Sequence, residues 1–252
     1  MTGDGNWTWL ILGRVPTLID AGTGDPRHLE ALDRALDGQT LRQVLVTHGH
    51  TDHASGAPAV AARHPHAVFR KQPWPERDGR WPLPWQPIHD HERIEAGDDV
   101  VVSVHTPGHA PDHMSFWHEG TRTLLSGDLA LKGTTVYIPS QSGGDLRQYL
   151  ASLHRVLALA PARLLPAHGP IIDDPAHALS TYVAHRLARE RQILELLRDG
   201  PLTPEAVADR IYRGLKAPYV PLAVESVTAH LVKLEADGRV RHSDGAWLII
   251  DP

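Results

Sequence analysis

Residues 46–53 read Val46-Thr47-His48-Gly49-His50-Thr51-Asp52-His53, which puts three imidazoles and a carboxylate in the turn after an apolar strand predicted over 43–46. His48 and His50 are two apart, so their side chains can leave the backbone on one side and close on a single cation. Asp52 and His53 then point elsewhere, toward a second one. Imidazole nitrogen suits zinc and related first-row ions, and the carboxylate adds the negative charge that makes two adjacent divalent ions tolerable. The stretch reads as a metal site with room for two ions.

Upstream of it, residues 7–12 and 16–19 are short β-rich runs separated by Gly13, Arg14 and Val15, which predicts a hairpin ending at Asp20. Residues 28–37 carry Leu29, Leu32 and Leu36 at helical spacing, with Gly38 as a stop. Strand, helix, strand, then ligands at the strand's C-terminal end is α/β organisation. Downstream, 57–63 predicts a helix with Pro58 in its first turn, and 67–70, 99–105, 114–117 and 121–126 predict strands. A helix over 146–159 and a strand over 163–166 follow. Between 72 and 91, Trp74, Trp81 and Trp85 stand among Pro73, Pro75, Pro82, Pro84 and Pro87. This predicts an irregular loop, too proline-rich for an element interior, that either covers the edge of the fold or walls a substrate pocket.

A chain of 252 residues can bury a full core, as one large domain or one plus a small appendage. The net charge of −5 offers no general attraction to polyanions, so nucleic-acid binding would need a local basic patch. Cysteine is absent, so no disulfide framework exists and every metal ligand must be His, Asp, Glu or a main-chain group. The start, Met1 to Trp7, has no basic segment followed by a long apolar run, and no later stretch approaches a membrane-spanning length. A soluble cytoplasmic protein without a membrane partner is expected.

Three later segments complete what 46–53 begins. Thr106-Pro-Gly-His109, Ser126-Gly-Asp128 and Pro166-Ala-His168-Gly169 each end a strand with one metal-capable side chain and a glycine that lets the backbone turn sharply. Singly these are weak signals. In order behind the H-x-H-x-D-H run they resemble the metallo-β-lactamase-fold hydrolases. That resemblance implies an α/β fold, a four-layer αβ/βα sandwich. It implies His48, His50 and His109 as ligands of the first metal, Asp52, His53 and His168 as ligands of the second, and Asp128 as the bridge. The implied cofactors are two divalent metal ions, with zinc the first expectation and manganese or iron compatible with the same donors. Such ions activate a bridging water and polarise the group attacked, and Asp52 also orients the nucleophile. His113 lies nearest the site in sequence and is a second catalytic candidate, as support for the ligands or as a leaving-group acid. At the start of a strand it reads equally as a packed imidazole. Of the 18 histidines the remainder, including His105 on the core side, lack a partner motif and read as structural or surface residues.

After about residue 175 the strand and helix alternation stops. Residues 182–197, 203–212 with Thr203 as N-cap, and 224–236 predict helices, and 239–242 and 246–250 a hairpin across Ser243-Asp244-Gly245. The expected organisation is a catalytic domain over 1–174 and a small C-terminal winged-helix domain over 175–252.

Asp128 stands where a secreted zinc β-lactamase would carry Cys, which favours hydrolytic and nuclease branches. The pattern over 106–116, the helix at 149–153 and the tail over 227–240 resemble the beta-lactamase-like protein two family, across nearly the whole chain. This resemblance implies either a single-strand-specific endoribonuclease or a thioesterase, so the expected partner is a small-molecule acyl substrate or single-stranded RNA. The chain departs at its start, where the strand expected before the Thr2 to Asn6 turn is missing, and one sheet edge is expected to be shortened. Residues 185–252 hold ten Lys or Arg and ten Asp or Glu, and the recognition-helix position offers only Lys233 against Glu225 and Glu235. Duplex DNA is therefore not expected. The module is expected to cap the active-site side, shape the pocket or form a homodimer. A non-enzymatic winged-helix regulator would have no need of seven intact ligands, and a flavodiiron role would need a flavodoxin-like domain.

Overall fold

The computed structural model describes residues 5–250. Its first half builds one sheet with β1 (Trp9–Ile11), β2 (Thr17–Ile19), α1 (Pro26–Leu36), β3 (Gln43–Val46), α2 (Thr51–Ala54), α3 (Ala57–Arg63), β4 (Val68–Lys71), α4 (Pro75–Asp78) and β5 (Gln86–Pro87). The strand order is β1-β2-β3-β4-β5, antiparallel at β1 and parallel thereafter. The Asp25 carboxylate caps α1 by accepting from Arg27 N–H, and Pro26 fits the first turn, where no intrahelical N–H is lost. Leu32 and Leu36 then point onto the sheet with Ala57 and Val60 of α3. Each such leucine is worth roughly 1.5–3 kcal/mol of burial.

The second half adds β6 (Arg93–Ala96), β7 (Asp99–His105), β8 (Met114–His118), β9 (Thr123–Gly127), α5 (Leu146–Leu159) and β10 (Arg163–Pro166). Their order, β10-β9-β8-β7-β6, is antiparallel except for the β9–β10 pair. Ile19, Leu45, Ile94, Met114 and Phe116 fill the space between the two sheets, while Tyr149, Leu153 and Val156 of α5 cover the outer face of the second. Helix, sheet, sheet, helix is the expected four-layer αβ/βα sandwich.

Three departures from the sequence reading have local causes. β6 was not anticipated, because Arg93-Ile-Glu-Ala96 offers only two apolar residues and takes its strand form from pairing with β7. The proline-rich stretch from 72 to 91 contains the short α4 and β5, each one nucleated where proline sits at an end. Trp81 and Trp85 of that stretch pack against the first sheet, with Trp85 edge-on to Phe69, so they cover the fold, whereas Arg77 of the same stretch lines the cavity described below. Of the turn at residues 2–6, positions 2–4 lie outside the described residues; the three-residue β1 forms that sheet edge.

The last part comprises α6 (Pro175–Leu197), α7 (Pro204–Ile211), α8 (Val220–Ala236) and the hairpin of β11 (Val240–Ser243) and β12 (Ala246–Ile249), a winged-helix arrangement. Asp174 caps α6 with Pro175 behind it, which starts the helix at 175 and not at 182. α6 belongs to two cores. Leu179 and Tyr182 pack under the second sheet, whereas Ile193 and Leu197 pack with Val227, Leu231 and Trp247 of the module. Among the described residues no helix is long and apolar enough to cross a membrane.

Candidate metal centre

The seven expected ligands converge at the C-terminal ends of the strands, where open α/β sheets gather their ligands. β3 delivers His48 and His50, α2 carries Asp52 and His53, the β7–β8 turn holds His109, and β9 and β10 end at Asp128 and His168. Two glycines are required for this. At Gly127 (φ +49°) a Cβ would meet His113 Nε2 at 2.7 Å, and at Gly108 (φ +131°) it would meet the Tyr149 backbone at 2.3 Å.

The donor atoms sort into two groups. His50 Nδ1 lies 2.9 Å from both His48 Nε2 and His109 Nε2. Asp52 Oδ2 lies 3.2 Å from His168 Nε2 and 3.7 Å from His53 Nε2. Asp128 divides its two oxygens between the groups, with Oδ2 3.4 Å from His109 Nε2, and Oδ1 3.4 Å from His168 Nε2 and 3.6 Å from His53 Nε2. Nitrogens and carboxylate oxygens at such spacing are suited to binding metal ions. His53 Nε2 and Asp128 Oδ1 are buried and have no hydrogen-bond partner, the pattern left when two donors of lone pairs face a shared cation.

Four of the five ligand rings are oriented from behind. His109 Nδ1–H donates to the Tyr137 carbonyl at 2.7 Å, and His168 Nδ1–H to the Gly5 carbonyl at 2.9 Å. His53 Nδ1–H donates to Asp20 Oδ2 at 2.8 Å. The Thr47 hydroxyl donates to Asp20 at 3.0 Å and accepts from His48 Nδ1–H at 3.0 Å. In all four rings the bond at Nδ1 turns Nε2 toward the donor cluster, and a metal there would take the place of the proton that nearby carboxylates favour on His53 and His168. Burial, reinforced by neighbouring imidazoles, keeps His48 and His50 uncharged, His50 falling to about 3. Burial alone would raise Asp128, but His53, His109 and His168 outweigh it and hold the carboxyl well below its usual range. Neutral imidazole beside ionised carboxylate is the metal-binding state.

His113 is fully buried. Its Nε2 accepts from the Asp128 backbone N–H at 3.0 Å, which leaves Nδ1–H to donate to Thr106 Oγ1 at 2.8 Å. Neither nitrogen is free to protonate a leaving group. His105, expected on the core side, is half-buried and bonds the Pro111 carbonyl.

Sequence reading missed several contributors. Asp20 supports two ligand rings from the end of β2. Asp112 Oδ2 accepts from Gly49 N–H at 2.8 Å and pairs with buried Lys71 at 3.2 Å; Lys71 also reaches Asp78 of α4 at 2.6 Å. Burial pushes the Asp112 carboxyl up to about 6 against the pull of Lys71. This network ties the turn holding the first histidines to the helix that carries Arg77.

A cavity of about 950 Å³ opens on the cluster. His50, Asp52, His109, Asp128 and His168 form one end. Arg77 stands near that end, stacked on Trp74 with its guanidinium 4.6 Å from the ring centroid. Leu131, Val136 and Ile138 line it, as do Tyr212, Leu222 and Ala223 of the C-terminal module.

Residues 1–168 match the Metallo-beta-lactamase superfamily, and residues 203–247 the Beta-lactamase associated winged helix domain. The chain is 33% identical over 264 residues to a Beta-lactamase-like protein 2 homolog from Drosophila melanogaster, covering 98% of this chain and 87% of the relative. It is 31% identical over 252 residues to an atrochrysone carboxyl ACP thioesterase from Aspergillus chevalieri, covering 94% of this chain and 77% of the relative. Among solved structures, a beta-lactamase domain protein from Burkholderia ambifaria superposes with a TM-score of 0.83 at 22% identity, covering 97% of this chain and 86% of that one.

Proposed function

The chain belongs to the metallo-beta-lactamase superfamily, and from that premise we propose that it is a dinuclear metal hydrolase acting on a small acyl thioester. The observation that carries this reading is the cavity, whose lining brings the apolar side chains of Leu131, Val136, Ile138 and Leu222 together with the His and Asp donors. A pocket of this size with a few convergent polar groups suits a small molecule. A thioesterase among its relatives supports the choice of bond. A polymer strand would call for an open basic groove with stacking rings. Here Lys233, the basic residue on α8, is paired with Glu190 and Asp237, each at 2.9 Å, and the cavity itself offers two guanidiniums, Arg77 and Arg186, and not a basic track.

We assign one divalent ion to His48, His50 and His109, a second to Asp52, His53 and His168, and the bridge to Asp128. When bound, such ions supply Lewis acidity and lower the pKa of water, and zinc, manganese and iron all fit the donors. Asp52 faces the cavity and is held down at about 2: burial would raise its carboxyl, but His168 and His53 prevail. As a carboxylate it can orient the attacking water and take its proton. His113 fixes the Asp128 main chain and thereby aims the bridging carboxylate. The leaving group needs no acid, since a thiol of pKa about 8.5 departs as thiolate.

The test is metal-loaded protein assayed side by side on acyl thioesters and on single-stranded RNA. Thioester cleavage with intact RNA is expected; metal-dependent cleavage of RNA alone would overturn the proposal.

A further inference from the structure

Arg186 of α6 is 3% exposed and lines the cavity. One guanidinium nitrogen donates to the Val136 carbonyl, and the group lies 5.6 Å from the Tyr149 ring centroid. Its Nε has no hydrogen-bond partner, and no carboxylate among the described residues pairs with it. Glu190, one helical turn on, is taken by Lys233 at 2.9 Å. The neighbouring Arg189 stacks on Tyr212 and adds like charge.

A buried guanidinium without a counter-ion is strongly disfavoured, and an apolar residue in its place would pack at least as well. A charge kept in such a position finds its counter-ion in what enters the cavity. The planar fork suits an oxyanion, above all a carboxylate. Its place relative to the chemistry is fixed by one short segment, since Arg186 grips the carbonyl of Val136 and His109 grips the next, that of Tyr137. The bonds along that path hold the gap between guanidinium and donor cluster to at most roughly 12 Å, within reach of a medium acyl chain.

We propose that Arg186 binds a carboxylate at the far end of the acyl chain, so that the substrate is a thioester of a dicarboxylic acid. The kinetic part of this inference rests on the thioesterase reading; the binding part does not.

The experiment has two arms, both on the metal-loaded protein. In the first, N-acetylcysteamine thioesters of glutaric, adipic and suberic acids are compared with their ω-methyl esters. For at least one chain length the wild type should favour the free acid on the order of tenfold in kcat/KM, the discrimination of a charge-assisted bond. Most of this should appear in KM. In Arg186→Met the ratio of free acid to methyl ester should collapse toward one, and Arg186→Lys should restore part of it. A general loss of structure would lower both substrates and leave the ratio intact. In the second arm, calorimetry compares binding of adipate with that of hexanoate, whose single carboxylate can engage the metals but not Arg186. Tighter binding of adipate in the wild type alone supports the proposal even if no turnover is seen. Equal treatment of free acid and ester, or a preference that survives in Arg186→Met, overturns it. So does an Arg186-dependent preference for coenzyme A over N-acetylcysteamine thioesters of hexanoate, which would put the anion on the thiol side.

Discussion

Asp20 and His53 form a buried pair, Oδ2 and Nδ1 standing 2.8 Å apart, although neither touches the cavity. Burial opposes charge on His53, but Asp20 and Asp128 outweigh it and raise its pKa well above the ordinary value. Asp20 also accepts from the Thr47 N–H at 2.7 Å, and so sets the direction in which the chain leaves β3 toward His48.

Asp20→Asn is expected to keep the shape while losing the charge behind His53 and disturbing the Thr47 relay. Metal affinity should fall by about 10- to 100-fold. Asp20→Ala strands the Thr47 N–H and should also cost about 3 kcal/mol of stability. Competitive metal titration and urea unfolding measure the two effects, and wild-type metal affinity in Asp20→Asn would contradict the positioning role.

Asp52→Ala and His109→Ala should each abolish turnover and leave the fold largely intact, because both side chains face the cavity and neither belongs to the apolar cores. Circular dichroism and metal analysis of the purified variants give the controls. Full activity in either one would remove that residue from the assignment.

Gly108→Ala tests the close approach of the β7–β8 turn to α5. With φ at +131° and the Tyr149 backbone 2.3 Å from the new Cβ, the turn or the helix must move, at a cost of roughly 3 kcal/mol or more. Gly38→Ala is the comparison. It shares a positive φ of +81° but meets nothing within 4 Å, so about 1 kcal/mol is expected. Equal denaturation midpoints for the two variants would show that the contact does not matter.

His230 gives the C-terminal module a pH dependence. The ring is fully buried on α8 with neither nitrogen partnered, and burial lowers its pKa to about 4 despite Glu190 at 3.8 Å. The folded value lies below the unfolded one of about 6.5, so the unfolded state binds more protons between them. Stability from this group is therefore complete above about pH 6.5 and lost as the pH falls toward 4, on the order of 3 kcal/mol in all. His230→Leu should flatten that slope in urea titrations run from pH 7 to 4.5. A slope unchanged from the wild type would mean that His230 does not titrate on unfolding.

Much of this molecule is legible in its sequence because its signals are local. The bounds of β3, α3, β7, α5 and β10 follow from apolar runs and periodicity within single segments. The donor cluster follows from four short motifs that each end a strand. What escapes reading depends on partners distant along the chain. Asp20 gains its role from His53, Lys71 from Asp112, and Arg186 from a carbonyl in the 131–142 segment. β6 fails for a different, local reason, since an edge strand with two buried residues is too weak a pattern to read and owes its form to the adjoining β7. The tryptophans between 72 and 91 are ambiguous by composition alone. Their burial against Phe69 and beside His50 is a matter of tertiary packing.

Helix α6 carries Arg186 midway between the two cores it joins, and the module beyond it supplies Tyr212, Leu222 and Ala223 to the cavity. The metal donors and one part of the cavity lining are thus written in one stretch of the gene, and the rest of the lining in the stretch that follows. Change confined to the later stretch would alter part of the cavity wall while the donors stay in place. A lineage built this way can change its diet without reinventing its chemistry.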